Sequence, residues 1–268
     1  MYGAVDIGGT KTLLAVFNTD GTLVEQLKFP TPEIYEDFVK ELTVNVAKLS
    51  TKDFRAIGVA APGKINHEFG VLIAAGNLPW KNASIHEDIE KIFDAPVLVE
   101  NDAKAAAISE ARLAGPKYSK VVYMTISTGI GVGVCVNGKI DEALHDSEIG
   151  RMNIEYKGQV VAWESVASGS ALVRMYGKRA SEQTDPVVWN ELARNLAKGM
   201  VAIIAMVQPD LILIGGGAGN YLERFYDPLM AELEKYENPV APTPQIRKAV
   251  HPEEAVVYGC YEIAKELI

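Results

Sequence analysis

The stretch Tyr2-Gly3-Ala4-Val5-Asp6-Ile7-Gly8-Gly9-Thr10-Lys11-Thr12-Leu13-Leu14-Ala15-Val16 decides the fold. A strand pattern runs into two glycines and a threonine, and a second strand pattern leaves them. Paired glycines let a turn adopt positive φ and bring backbone N–H groups close to a bound oxyanion. Asp6 closes the first strand; a carboxylate cannot itself hold a phosphate, but it can hold the water shell of a metal ion. Carboxylate, glycine turn and hydroxyl together suit a nucleotide phosphate carrying Mg²⁺. Taken alone, the segment reads equally well as an ordinary β-hairpin with a glycine turn.

The same plan recurs in Lys120-Val121-Val122-Tyr123-Met124-Thr125-Ile126-Ser127-Thr128-Gly129-Ile130-Gly131-Val132-Gly133-Val134-Cys135-Val136-Asn137-Gly138. Gly129, Gly131 and Gly133 alternate, which is not the G-x-G-x-x-G spacing of a dinucleotide fingerprint. A Rossmann loop must open a helix, because the pyrophosphate rests on that helix's N-terminus. Here Val132, Val134 and Val136 precede an Asn-Gly turn and read as strand. Two hairpin loops in two halves point to an internally duplicated protein that grips a polyphosphate from both sides.

Composition narrows the class. The chain has 268 residues, enough for one large domain or two modest ones, and 48% of them are hydrophobic. A net charge of −9 and a pI near 5.1 argue against general nucleic-acid or anionic-membrane binding. Cys135 and Cys260 are the two cysteines, read as core thiols and not as a disulfide framework. No apolar run approaches the ~20 residues of a membrane span, and the first strand begins at once, so a soluble cytoplasmic protein without a signal peptide is expected.

Along the chain, strands are expected at residues 22–29, 56–61, 96–99 and 211–214 besides the two hairpins. Helices are expected at 33–49, 85–93, 102–114, 163–176, 187–207, from the glycine run at 215–219 through Tyr236, and at 252–268. This order indicates an α/β protein of two lobes with a cleft between them.

With these segments placed, the chain resembles the ROK family (repressor, open reading frame, kinase) of sugar kinases, within the actin/hexokinase-like ATPases. The resemblance spans essentially the full length and rests on six motifs in order. Asp6-Ile7-Gly8-Gly9-Thr10-Lys11 resembles the family's first phosphate motif, Ser127-Thr128-Gly129-Ile130-Gly131 its second, and Ile214-Gly215-Gly216-Gly217 its adenosine motif. Glu100-Asn101-Asp102-Ala103 is similar to the segment that carries the catalytic aspartate. Glu148-Ile149-Gly150, and Glu164 within Trp163-Glu164-Ser165-Val166-Ala167-Ser168-Gly169, resemble the segments of the sugar-contacting acids. The resemblance implies two actin-like, ribonuclease H-like lobes: residues 1–103 with 254–268, and residues 104–253.

It also implies an ATP- and Mg²⁺-dependent hexose kinase acting on glucose or a related hexose or N-acetylhexosamine. Phosphoryl transfer to an alcohol needs positioned phosphates and a carboxylate to take the hydroxyl proton. Asp102 is the candidate base, with N-capping of its helix as the structural alternative. Asn77, Asn101, Asp102, Glu148, Arg151 and Glu164 form the expected sugar-binding set. Asp6, Gly8, Gly9, Thr10, Lys11, Ser127, Thr128, Gly129, Gly216 and Gly217 form the nucleotide set, Asp6 acting on Mg²⁺ through water.

One departure bears on the sugar end. Many members carry a histidine directly after Glu-x-Gly and then a cysteine-rich zinc site. Here Arg151 stands in the histidine's place and residues 152–161 contain no cysteine, so no zinc site is expected. Arginine's planar fork can still donate to sugar hydroxyls, to Glu148 or to a phosphate. A polyphosphate-using glucokinase and a catalytically weak sugar-binding or sensing protein are the alternatives. Asp6 lies too near the amino terminus for a preceding DNA-binding element, so no nucleic-acid partner is expected. The expected partner is a small-molecule sugar, without a membrane, and a homodimer is left open.

Overall fold

In the computed structural model, which describes all 268 residues, the opening stretch is a hairpin of β1 (Tyr2–Ile7) and β2 (Lys11–Phe17), with Asp6 opposite Leu13. β3 (Leu23–Pro30) continues the antiparallel run, and α1 (Tyr35–Lys48) leads to β4 (Ala56–Ala61), parallel to β1. Three short strands follow as a small antiparallel sheet: β5 (Lys64–Asn66), β6 (Val71–Ala74) and β7 (Lys81–Ala83). Then come α2 (Ile85–Phe93), β8 (Val97–Asn101), parallel to β4, and α3 (Asp102–Ala114). The main sheet has the order β3-β2-β1-β4-β8.

The two faces of that sheet differ because alternate residues point to opposite sides. Val5, Ile7, Leu14, Val16 and Val59 pack with Phe38, Leu42 and Val46 of α1 and with Ile85, Ile89 and Phe93 of α2. The opposite face offers Ala4, Ala15, Ala56 and Ala60 to Val257, Cys260, Tyr261 and Ala264 of the C-terminal helix, Ala255–Ala264. Small residues there let a helix backbone lie close: a Cβ added to Gly58 would overlap the carbonyl oxygen of Cys260. Met1–Ser109 and Glu254–Ile268 form one compact unit, and Glu110–Glu253 a second.

The second unit repeats the sheet plan. β9 (Lys120–Ile126) and β10 (Ile130–Val136) are the antiparallel hairpin, and β11 (Lys139–Ile140) pairs with β10. Asn137 and Gly138 between them take φ of 53° and 74°, the two positive values that a tight hairpin turn of this dipeptide requires. A separate hairpin, β12 (Asn153–Tyr156) and β13 (Gln159–Ala162), precedes α4 (Glu164–Ala167), α5 (Gly169–Tyr176) and the 22-residue α6 (Pro186–Val207). β14 (Leu211–Gly215) runs parallel to β9 and is followed by α7 (Gly216–Gly219), α8 (Tyr226–Glu234) and β15 (Gln245–Lys248). The sheet order is β11-β10-β9-β14-β15: an antiparallel edge strand, the hairpin in reverse and two parallel strands, as in the first unit, although β11 is only two residues long where β3 has eight.

Several sequence expectations need correction. The helix expected over 163–176 is two helices, because Ser168 turns extended and its Oγ caps α5 by accepting from Ala171 N at 3.1 Å. The helix expected from the glycine run through Tyr236 is α7, a 3-10 turn at Leu222–Arg224 and α8. The final helix is Ala255–Ala264, shorter than 252–268. β5–β7, β12–β13 and β15 were not expected. No helix is long and apolar enough to cross a membrane.

Candidate active site

In the first unit the parallel strands end in a row of acids. Register places Asp6 across Ala60 from Glu100, and Asp102 begins α3 two residues further on. Ligand sites of open α/β sheets lie outside such carboxyl ends. Asp6 is half-buried, and burial, followed by the charge of Asp102 and offset by Lys28, pushes its carboxyl up to about 7. Glu100 is buried and accepts from Asn101 N at 2.6 Å, with His67 Nε2 at 4.0 Å.

Asn101 caps α3. Its Oδ1 accepts from Ala103 N at 3.0 Å and Lys104 N at 3.3 Å, while its Nδ2 donates to Gly63 O at 3.0 Å. Asp102 shares the Ala103 N–H at 2.7 Å, but the two-amide cap is the work of its neighbour. The first glycine turn closes through Gly8 N donating to Lys11 O at 3.0 Å. Thr31, absent from the sequence-predicted set, secures it: its N donates to Thr10 O at 3.1 Å and its Oγ1 to Gly8 O at 2.8 Å. Asn77 lies against Gly9, where an added Cβ would stand 2.8 Å from Asn77 Nδ2. Thr10 and Lys11 are exposed.

In the second unit the predicted residues converge on the hairpin turn after β9. Ser127 N donates to Gly129 O at 3.0 Å, Gly169 N to Ser127 O at 2.7 Å, and Ser170 Oγ to Thr128 O at 2.5 Å. The start of α5 therefore supports the turn, a link sequence reading missed because those residues lie some forty positions apart. Glu164 Oε2 accepts from Ile130 N at 3.4 Å and fills the space a side chain at Gly129 would need. Gly150 packs against the Ile130 carbonyl, which brings Glu148 and Arg151 to the same strand end; Arg151 Nε lies 3.6 Å from Glu148 Oε2, both side chains exposed. Gly216, at φ 83°, donates its N–H to Pro252 O at 2.6 Å, and a Cβ there would meet Thr125 Oγ1 at 2.5 Å. Gly217 is exposed, with nothing within 4 Å of an added Cβ.

These features fit a nucleotide with its counter-ion. Asp6 and Asp102 interact as like charges in a partly desolvated place, a donor set that a hydrated divalent cation would neutralise. Gly8, Gly9 and Gly129 bring no side chain of their own to the two turns, and the neighbours that lie against them are polar, Asn77 at Gly9 and Glu164 at Gly129. Cys135 and Cys260 are buried free thiols, and burial, then the Asp6 charge, pushes the Cys260 thiol up.

Two copies of one sheet plan, each opening on a glycine-bearing hairpin turn, define an actin-like α/β fold. The model described as "ROK family" matches residues 2–267, and the chain belongs to the ROK family. It is similar to the glucokinase of Streptomyces coelicolor (strain ATCC BAA-471 / A3(2) / M145), 27% identical over 275 residues that cover 87% of this chain and 86% of the relative. It is also similar to the N-acetylgalactosamine kinase AgaK of Shewanella sp. (strain ANA-3), 29% identical, with 83% of each chain covered. Among solved structures, a ROK family glucokinase from Streptomyces griseus in complex with glucose and AMPPNP superposes with a TM-score of 0.84. That match has 27% identity and covers 99% of each chain.

Proposed function

We propose that this protein is an ATP-dependent sugar kinase that phosphorylates a hexose, glucose or a related hexose or N-acetylhexosamine, at its primary hydroxyl. The observation that carries the mechanism is the capping of α3 by Asn101, since Asp102 is then not explained as the helix cap. Asp102 acts as general base. It takes the hydroxyl proton while the sugar oxygen forms its bond to the γ-phosphorus and the bond from that phosphorus to the leaving ADP oxygen breaks. Gly8, Gly9, Thr10, Ser127, Thr128 and Gly129 hold the phosphates through backbone N–H and hydroxyl groups, Lys11 adds positive charge, and Gly216 and Gly217 flank the adenosine. Asp6 would hold Mg²⁺ through its water shell, and that ion would neutralise charge on the phosphates.

Glu148, Glu164, Arg151 and Asn77 supply the acceptors and donors for vicinal sugar hydroxyls. Asn101 contributes mainly by fixing the start of α3, because its amide is committed to three backbone groups. The test is ADP release with ATP and a panel of D-glucose, D-mannose, D-fructose, N-acetylglucosamine and N-acetylgalactosamine. General-base removal typically lowers turnover ~10²–10⁴-fold, so Asp102→Asn should lose about that in kcat with ATP affinity retained. Near-normal kcat in Asp102→Asn would dismiss Asp102 as base, and no turnover of any sugar by the wild type would dismiss the kinase reading.

A further inference from the structure

The segment from Glu148 to Glu164 contains the β12–β13 hairpin and no cysteine, so no thiolate metal site holds it. What holds it is one polar stripe of α6. Glu191, Asn195 and Lys198 stand at i, i+4 and i+7, on one face of the helix. Glu191 is a double acceptor: Tyr156 OH donates to its Oε1 at 2.8 Å and Tyr176 OH to its Oε2 at 2.7 Å. Those phenols, that of Tyr176 first, hold the Glu191 carboxyl below the usual carboxylate range. Asn195, 2% exposed, donates through Nδ2 to Val166 O at 3.1 Å, and its backbone carbonyl accepts from Trp163 Nε1 at 2.9 Å. Lys198 Nζ donates to Glu155 O at 2.8 Å and lies 5.5 Å from the centre of the Tyr156 ring. The opposite side of α6 is sunk in the core through Leu192, Leu196 and Ile203, so the stripe belongs to a fixed element.

The stripe grips the chain on both sides of Glu164, at Trp163 and Val166, and grips the hairpin at Glu155 and Tyr156. The hairpin in turn fixes the short turn that carries Glu148 and Arg151, because Trp163 N donates to Met152 O at 2.8 Å and Asn153 pairs with Ala162. We infer that Glu191, acting through Tyr156 and Tyr176, is a positioning residue that sets the place of Glu148, Arg151 and Glu164 for the sugar. This rests on the sugar-kinase reading for its effect on catalysis, though not for the brace itself. On a solvated helix face these three side chains would not all be bonded to one stretch of chain, at Glu155 and Tyr156, at Val166 and at Tyr176.

Two measurements decide it. Steady-state kinetics with ATP and the sugar panel above compare wild type with Glu191→Ala, Glu191→Gln, Tyr156→Phe and the double variant Tyr156→Phe/Tyr176→Phe. Small misplacements of substrate-positioning groups can cost up to ~10²-fold. Glu191→Ala and the double phenylalanine variant should therefore each raise sugar KM about tenfold, with ATP KM within about twofold. Glu191→Gln, which can still bond both phenols, should recover most of that loss. Amide hydrogen exchange on the ligand-free proteins should show residues 148–166 opening faster in Glu191→Ala while β9 and β14 stay protected. Unchanged exchange in that segment, or equal rises in both KM values, would overturn the proposal. If Glu191→Ala does not fold, Tyr156→Phe decides by the same readouts. A wild type that phosphorylates no sugar would sink the kinase reading instead, and exchange would still judge the brace.

Discussion

Asp6 carries the clearest pH signature in the chain. Its carboxyl is raised from 3.8 to about 7, chiefly by burial and then by Asp102, so the folded protein holds that proton more tightly than the unfolded chain does. The stabilisation is full below the unfolded value and is lost as pH rises towards and through about 7. Metal-free protein should accordingly lose thermal stability between pH 5 and pH 8, and Asp6→Asn should flatten that decline. For a half-buried carboxyl about 2 kcal/mol is a fair scale, given 1.36 kcal/mol per pKa unit and partial solvent screening. Parallel melting curves of both proteins in chelator would check this; identical pH slopes would remove Asp6 as the cause. Asn101 and Asp102, adjacent in sequence, should separate in the same assay. Asn101→Ala removes a two-amide cap and should cost about 1–2 kcal/mol, whereas Asp102→Asn should act on kcat and leave the melting temperature nearly unchanged.

At the scale of elements, the adenosine turn gives a controlled comparison between neighbours. Gly216 sits at positive φ against Thr125 and Ile126, so Gly216→Val should damage the fold. Gly217 faces open space, and Gly217→Val should leave the melting temperature within about 1 °C while raising ATP KM. A Gly217→Val enzyme with unaltered ATP KM would remove this turn from the nucleotide site. The glycine turns were legible because period-2 apolar runs flank them and Asn-Gly fixes the turn after β10. Other links were not legible, for physical reasons. Thr31 reaches Gly8 across the sheet, 23 positions away, and nothing local marks such a hydroxyl. The brace by Glu191, Asn195 and Lys198 leaves no mark in the sequence, since spacing gives the stripe and not what covers it. β15 shows one buried residue in four, Ile246, too little alternation to signal a strand. The break at Ser168 was readable in principle, because a serine followed by glycine is a cap signal inside an otherwise helical run.

At the scale of the whole molecule, the duplicated sheet plan could be anticipated from two similar hairpin sequences, but closure of the first unit depends on its most distant segment. The C-terminal helix belongs with residues 1–109, although residues 110–253 intervene in the chain. That contact is encoded by small residues, Ala4, Ala15, Gly58 and Ala60, which look unremarkable in sequence and matter through what they leave room for. Gly58→Ala tests this directly. Its new Cβ would overlap the Cys260 carbonyl oxygen and would lie 2.9 Å from Ile263 Cγ1, and a backbone atom cannot move aside as a side chain can. Overpacking typically costs about 1–3 kcal/mol and more where backbone must shift. The second unit has its own core around α6, β9 and β14, so the damage should stay local. Hydrogen exchange in rising urea should show β1, β4 and the C-terminal helix of Gly58→Ala losing protection at lower denaturant than in wild type. The same peptides should precede β9 and β14, whose midpoints should hold. If β9 and β14 give way in step with β1 and β4, the helix does not support the first unit selectively. If nothing shifts, the close approach at Gly58 contributes nothing to the fold.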